Sequence, residues 1–93
     1  MPLNFEWDEN KARRNEEKHG VSFAEAATIF GDALSLTVSD PAHSAAEARF
    51  ITLGMSHRQR LLVVIHTDRG HHLRIISAWR ASRRERTTYE EST

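Results

Sequence analysis

The spacing of apolar side chains along the chain changes character once. The stretch WDENKARRNEEKHG, from Trp7 to Gly20, is mostly polar but carries the punctuation of a helix. Asp8 stands as N-cap, acids follow in the first turn, and Gly20 lies just past the end. FEW, before it, reads as a short edge strand. Ser22-Phe23-Ala24-Glu25 has capping-box spacing, which starts a second helix at Phe23. Phe23, Ala26, Ala27 and Phe30 then fall at i, i+3, i+4 and i+7, one apolar stripe that Gly31-Asp32 ends.

Beyond Asp32 the period drops from about 3.6 to about 2. ALSLTVSD alternates, and the loop PAHSAAEA follows it. RFITLGMS alternates again. RLLVVIHT is apolar on both faces, as a central strand covered on each side should be. Asp68-Arg69-Gly70 predicts a hairpin turn, from which HHLRIISA returns antiparallel. Ser82-Arg83-Arg84-Glu85 is a second capping box, opening a last helix that runs to about Glu91. Helices grouped beside a strand meander predict an α+β fold: a small antiparallel sheet of about four strands, two N-terminal helices packed on one face, and a C-terminal helix.

Ninety-three residues are expected to form one domain, residues 1–93. A chain of this size buries only about 60–65% of its unfolded surface, so the core needs most of its apolar positions. No cysteine is present, which excludes disulfides and thiolate metal sites. Met1 to Trp7 has no basic n-region or apolar h-region, and the longest apolar run, Leu61 to Ile65, is too short to cross a bilayer. The expectation is a soluble protein of the cytoplasm.

The net charge of zero hides an asymmetry. Residues 1–48 hold nine acidic and four basic side chains, a net of −5, and residues 49–93 hold four acidic and nine basic, a net of +5. Either the halves neutralise each other in the fold, or the second half offers a positive face to phosphate. Arg74 lies on the last strand and Arg80 at its exit. Arg58 and Arg60 sit at the preceding turn, and Arg83, Arg84 and Arg86 open the last helix. Guanidinium groups grip phosphate bidentately, and a groove lined by them suits RNA or single strands. Trp79 either stacks on an unpaired base, a contact of roughly 1–3 kcal/mol, or caps the edge of the core.

The histidines show no HxxxH or HxH spacing, and His71 and His72 point to opposite sides of a strand. No Gly-rich phosphate loop, GxSxG or Cys-His pair occurs, so no cofactor is expected, and the scattered histidines leave open only a metal site assembled in three dimensions. His19 and His66 are the best proton-transfer candidates, because imidazole titrates near neutrality. His66, at the end of the central strand, also reads as a satisfied, half-buried imidazole.

Several stretches together resemble the BrnT family of ribonuclease toxins over about residues 4–91. They are Lys18-His19-Gly20-Val21-Ser22-Phe23, the loop Asp40-Pro41-x-His43-Ser44 with Glu47 and Arg49, and Arg74-Ile75-Ile76-Ser77-Ala78. The resemblance implies a RelE/ParE-like fold and metal-free RNA cleavage that arrests translation. It also implies neutralisation by a BrnA-like antitoxin with a ribbon-helix-helix domain, in a two-by-two complex that touches operator DNA only through the antitoxin. The apolar sheet edge and last helix are the expected docking surfaces. Catalytic candidates on this reading are Lys18, His19, Arg58, Arg74, Trp79, Arg80 and Arg83, with Arg60, His66, Arg84 and Arg86 as RNA contacts.

One position departs from the family. Its pattern after the strand is Ser-Ala-Arg-x-Ala-Thr-Arg-Arg-Glu, whereas this chain reads Ser77-Ala78-Trp79-Arg80-Ala81-Ser82-Arg83-Arg84-Glu85. Serine at 82 keeps an N-cap hydroxyl. Tryptophan at 79 removes a positive charge at the strand exit, so the alternative expectation is an attenuated toxin that serves as antitoxin partner and corepressor. By strand alternation Arg80 points away from the face that Trp79 occupies.

Overall fold

The computed structural model describes residues 4–43 and 47–92. Ser44 of the loop motif lies outside the described residues. The elements are β1 (Asn4–Glu6), α1 (Glu9–His19), α2 (Phe23–Ala27), β2 (Leu36–Ser39), β3 (Arg49–Met55), β4 (Leu61–Arg69), β5 (His72–Arg80) and α3 (Arg83–Glu91), with 3₁₀ turns at Thr28–Gly31 and Pro41–His43. The architecture is α+β as expected, but the sheet has five strands in the order β1-β5-β4-β3-β2. β1 pairs in parallel with β5, Phe5 beside Leu73, which makes the sheet mixed rather than antiparallel. Three residues with no partner in their own neighbourhood give no sign of pairing direction.

Three of the helix signals act as the sequence suggests. The Asp8 side chain accepts from the Lys11 N–H, and Gly20 ends α1 at φ 70°, a left-handed conformation that glycine adopts without penalty. Ser82 and Glu85 cap α3 reciprocally. The Ser22 box is only half made. Ser22 caps the Glu25 N–H, but the Glu25 carboxylate turns away to Arg60 and Ser56. Gly70, at φ 61°, turns β4 into β5, so both strands run closer to the hairpin tip than the turn signal implied.

The sheet is covered on both faces, unequally. Leu62, Val64, Leu73, Ile75 and Ala78 pack under α1 and α2 against Val21, Phe23, Ala26 and Ile29. The other face carries Leu53, Leu61 and Val63, which meet Tyr89 of α3. The Tyr89 hydroxyl donates to Asp32 Oδ2 at 2.6 Å, tying the last helix to the turn after α2. A bulge in β5 affects function. Ile65 is registered with Ser77 but His66 with Ile75, so Ile76 is the extra residue. Positions 74 and 79 differ by an odd number and would face opposite ways in a regular strand. The bulge puts Arg74 and Trp79 on the same face, that of α3.

Candidate functional site

α1 lies along the outer edge of β5, where β1 has ended. Asn15 makes this contact by imitating a strand. Its amide donates to the Ala78 carbonyl at 2.9 Å and accepts from the Ala78 N–H at 3.1 Å. The same amide donates to the Val21 carbonyl at 3.0 Å and accepts from the Ser77 hydroxyl at 3.2 Å. On the other side, Arg60 Nη2 donates to the Gly20 carbonyl at 3.1 Å. The last turn of α1 is therefore held from two directions, and that turn carries Lys18 and His19.

Between this turn and β5 opens a cleft of about 710 Å³, lined by Lys18, His19, Ser77, Trp79 and Arg80. Trp79 and Arg80 point to opposite faces, since Trp79 is registered with Val63 and Arg80 with Leu62. Both line the cleft because it wraps the bare edge of β5. The rings of His19 and Trp79 lie 6.1 Å apart, tilted by 44°. Trp79 is half-buried against the core cluster of Leu61, Val63 and Tyr89, so it serves the core and the cleft wall together. The cleft thus gathers an imidazole, an ammonium, a guanidinium and an aromatic face. Ser77 is its unforeseen member and buried Asn15 the unforeseen support behind it; their roles come from an edge contact between residues about sixty positions apart.

The arginines do not form one groove. Arg74 donates to Glu6 Oε2 at 3.0 Å at the opposite end of β5 from Trp79, about 13 Å away at ~3.3 Å per residue. Arg69 binds Glu47 there, through Nη2 at 2.9 Å and Nε at 3.1 Å. Arg83, Arg84 and Arg86 are exposed on the first turns of α3, and Arg86 Nη1 lies 4.0 Å from Glu90 Oε2. None of them lines the cleft, although Arg83 follows Arg80 closely in the chain.

Arg60, expected to contact RNA, is instead an interior partner of Glu25. Its Nε donates to Oε2 at 2.9 Å and its Nη2 to Oε1, and the Ser56 hydroxyl adds 2.7 Å to Oε2. The Arg60 hydrogen bonds chiefly, then that of Ser56, bring the Glu25 carboxyl down from 4.5 to about 2, against its burial. Arg58 is an exposed neighbour, 3.7 Å from Glu25 Oε1. His66 is likewise internal, with only 2% of its surface exposed. Its Nδ1 donates to Asp68 Oδ1 at 3.0 Å, which leaves Nε2 to accept from the Thr52 hydroxyl at 2.7 Å. Burial lowers its pKa, with Asp68 opposing. Neither Arg60 nor His66 reaches the cleft.

A second depression, apolar and of about 150 Å³, lies between α3 and the sheet over Leu36, Val38, Ile51, Leu53 and Val63. Val38 is 58% exposed, on β2 at the edge of the sheet. Among the described residues no helix is long and apolar enough to cross a membrane.

A mixed five-stranded sheet with a cationic, aromatic cleft along one strand edge defines a small α+β protein. The family model of the ribonuclease toxin BrnT of type II toxin–antitoxin systems matches residues 7–85. The chain belongs to this family of ribonuclease toxins. Its fold is similar to the crystal structure of the Brucella abortus ribonuclease toxin BrnT, with TM-score 0.64 and 25% identity over 88% of this chain and 100% of that one. No curated protein matches.

Proposed function

We propose that the chain is a metal-independent endoribonuclease that cuts RNA in the cleft between α1 and β5 and so arrests translation. The convergence of Lys18, His19 and Arg80 beside Trp79 is the observation that supports this reading. Metal-free cleavage requires a base for the ribose 2′-OH, a cation for the pentacoordinate dianion and a proton for the leaving 5′-oxygen. The 2′-oxygen–phosphorus bond forms as the phosphorus–5′-oxygen bond breaks, leaving a 2′,3′-cyclic phosphate and a 5′-hydroxyl. His19 takes the 2′-OH proton, as the side chain in the cleft best suited to general-base work. Arg80 carries the dianion, for which a permanently charged guanidinium suits better than it suits proton transfer. Lys18 supplies charge and a proton on the leaving side. Trp79 stacks on a neighbouring base. Arg58, Arg83, Arg84 and Arg86, exposed around the sheet end and α3, draw the backbone in. Arg60 and His66 are assigned to the fold instead.

A partner follows from membership of a toxin–antitoxin family. The partner of this reading is a BrnA-like ribbon-helix-helix antitoxin, in a two-by-two complex in the cytoplasm, with the apolar depression beside β2 receiving an antitoxin segment. Purified protein in excess chelator should cut cellular RNA at discrete sites. Intact RNA at high protein concentration, with a Trp79→Arg variant equally inert, would sink the nuclease reading.

A second reading rests on Trp79 itself. Tryptophan stands beside His19 where the family carries an arginine, so the cleft holds one cation fewer. On this reading the toxin is attenuated and acts as antitoxin partner and corepressor. Colony counts separate the two readings: growth of cells expressing the unmodified chain, with arrest by Trp79→Arg, supports attenuation, and arrest by the unmodified chain excludes it.

A further inference from the structure

The face that carries Trp79 has a second group of cations at its far end. Thr67 is registered with Arg49 on β3 and with Arg74 on β5, so the three side chains form one row across three strands. Glu6 bridges this end of the sheet: it lies 3.0 Å from Arg74, 3.8 Å from Arg69 and 3.6 Å from His72. The hydrogen bonds from Arg69 hold the Glu47 carboxyl below its ordinary range, aided by the charges of Arg69, Arg49 and Arg74. Arg69 and Arg74 thus converge on these two carboxylates, with the Arg49 charge beside them. Both carboxylates are partly solvated, at 33% and 40% exposure, so exchanging them for another anion costs little desolvation. In the middle of the row the Thr67 hydroxyl is buried without a hydrogen-bond partner among the described residues, an uncommon state for a buried polar group.

We propose that the Arg49–Thr67–Arg74 row is a second phosphate subsite, which holds the RNA backbone away from the scissile bond. It rests on the reading of the His19 cleft as the cutting site. The row shares a face with the Trp79 wall of the cleft, about 13 Å away along β5 at ~3.3 Å per residue, while Arg80 reaches the cleft from the other face, so the row meets a phosphate other than the one at Arg80. A longer strand engages both at once. Glu6 and Glu47 yield Arg74 and Arg69 to an incoming phosphate, which Arg binds through two parallel N–H donors.

The test compares a dinucleotide substrate with an RNA of about ten nucleotides, a length typical of single-strand sites. Binding of the longer RNA, with a 2′-deoxy group at the cut site, is read by fluorescence anisotropy. Arg74→Gln should weaken that binding about tenfold, lower the salt slope by about one and cost the longer RNA about tenfold more kcat/KM than the dinucleotide. Thr67→Val, which keeps the shape and removes no hydrogen bond seen here, should weaken binding severalfold without lowering Tm. Glu6→Gln should tighten binding by removing the competing anion. Unchanged affinity in both Arg74→Gln and Thr67→Val overturns the subsite. Equal losses on the two substrates, or a collapse of kcat in Glu6→Gln, overturn it too, by making this end the reacting centre. If neither substrate is cut, the cleft reading fails while anisotropy still decides the subsite.

Discussion

The ion pair of Arg60 and Glu25 joins the β3–β4 hairpin to α2 and to the end of α1, and Arg60→Met tests what it contributes. The Glu25 side chain is 3% exposed and Arg60 20%. Without the guanidinium, the buried carboxylate keeps the Ser56 hydroxyl and the distant, solvated Arg58. Pairing lowers the carboxyl from 4.5 to about 2, and at ~1.4 kcal/mol per pKa unit this corresponds to roughly 3 kcal/mol. The general cost of stripping one partner from a buried pair, about 3–5 kcal/mol, agrees. For a domain of this size each kcal/mol moves Tm by about 4–8 °C, so Arg60→Met should melt roughly 12–24 °C lower. Glu25→Gln in the same background should restore much of the loss, since the uncompensated charge is gone. The pH dependence has a definite sign. The folded pKa is depressed, so the stabilisation is complete above about pH 4.5 and is lost as pH falls toward about 2. The gap between the unmodified protein and Arg60→Met should therefore close over that window. Chemical denaturation across pH reads both effects. A loss below about 1 kcal/mol, or a gap constant down to pH 2, would refute a desolvated, charge-paired Glu25.

Tyr89→Phe removes the hydroxyl bonded to Asp32, and a hydrogen bond to a charged group is worth about 1.5–3 kcal/mol. That bond and the Asp32 charge raise the tyrosine from 10.0 to about 12, so its stabilisation is full below pH 10 and fades as pH rises through 12, measurable by ultraviolet titration of tyrosinate. Asn15→Leu leaves the Ala78 N–H and carbonyl unpaired at a buried edge, and should cost about 2–4 kcal/mol in urea unfolding and loosen the turn that holds His19. Gly54→Ala would set a Cβ 3.1 Å from Ile29 Cβ and 3.2 Å from Ser35 Cβ, so overpacking by about 1–3 kcal/mol should appear as a lower Tm.

What the chain discloses before folding is mostly local. Asp8, Gly20 and the Ser82–Glu85 box carry their meaning within a few positions: Asp8 and the box start helices, and Gly20 ends one, where expected. Glu25 shows where this stops. Its place three residues after Ser22 reads as a cap, but a partner 35 positions on claims the carboxylate. The arginine-rich second half suggested a single groove, whereas Glu6, Glu25 and Glu47, dispersed in the acidic half, divide it into separate pairs. Strand alternation separates Trp79 from Arg80 correctly, but it cannot anticipate the bulge at Ile76 that returns Arg74 to the face of Trp79. His19 and Lys18 were legible as candidates, and both line the cleft. Their neighbours Ser77 and Asn15 were not, because only the edge contact of α1 with β5 gives those side chains a role.

The central claim is that His19 moves the proton in metal-free RNA cleavage within the α1–β5 cleft. Single-turnover cleavage of a defined RNA in excess chelator, comparing the unmodified protein with His19→Gln, tests it most directly. Loss of a positioned proton-transfer group costs about 10²–10⁴ in rate, so His19→Gln should be slower by at least a hundredfold, while products of the unmodified protein end in 2′,3′-cyclic phosphate. Cutting by His19→Gln at the unmodified rate, with Tm preserved, would contradict the account.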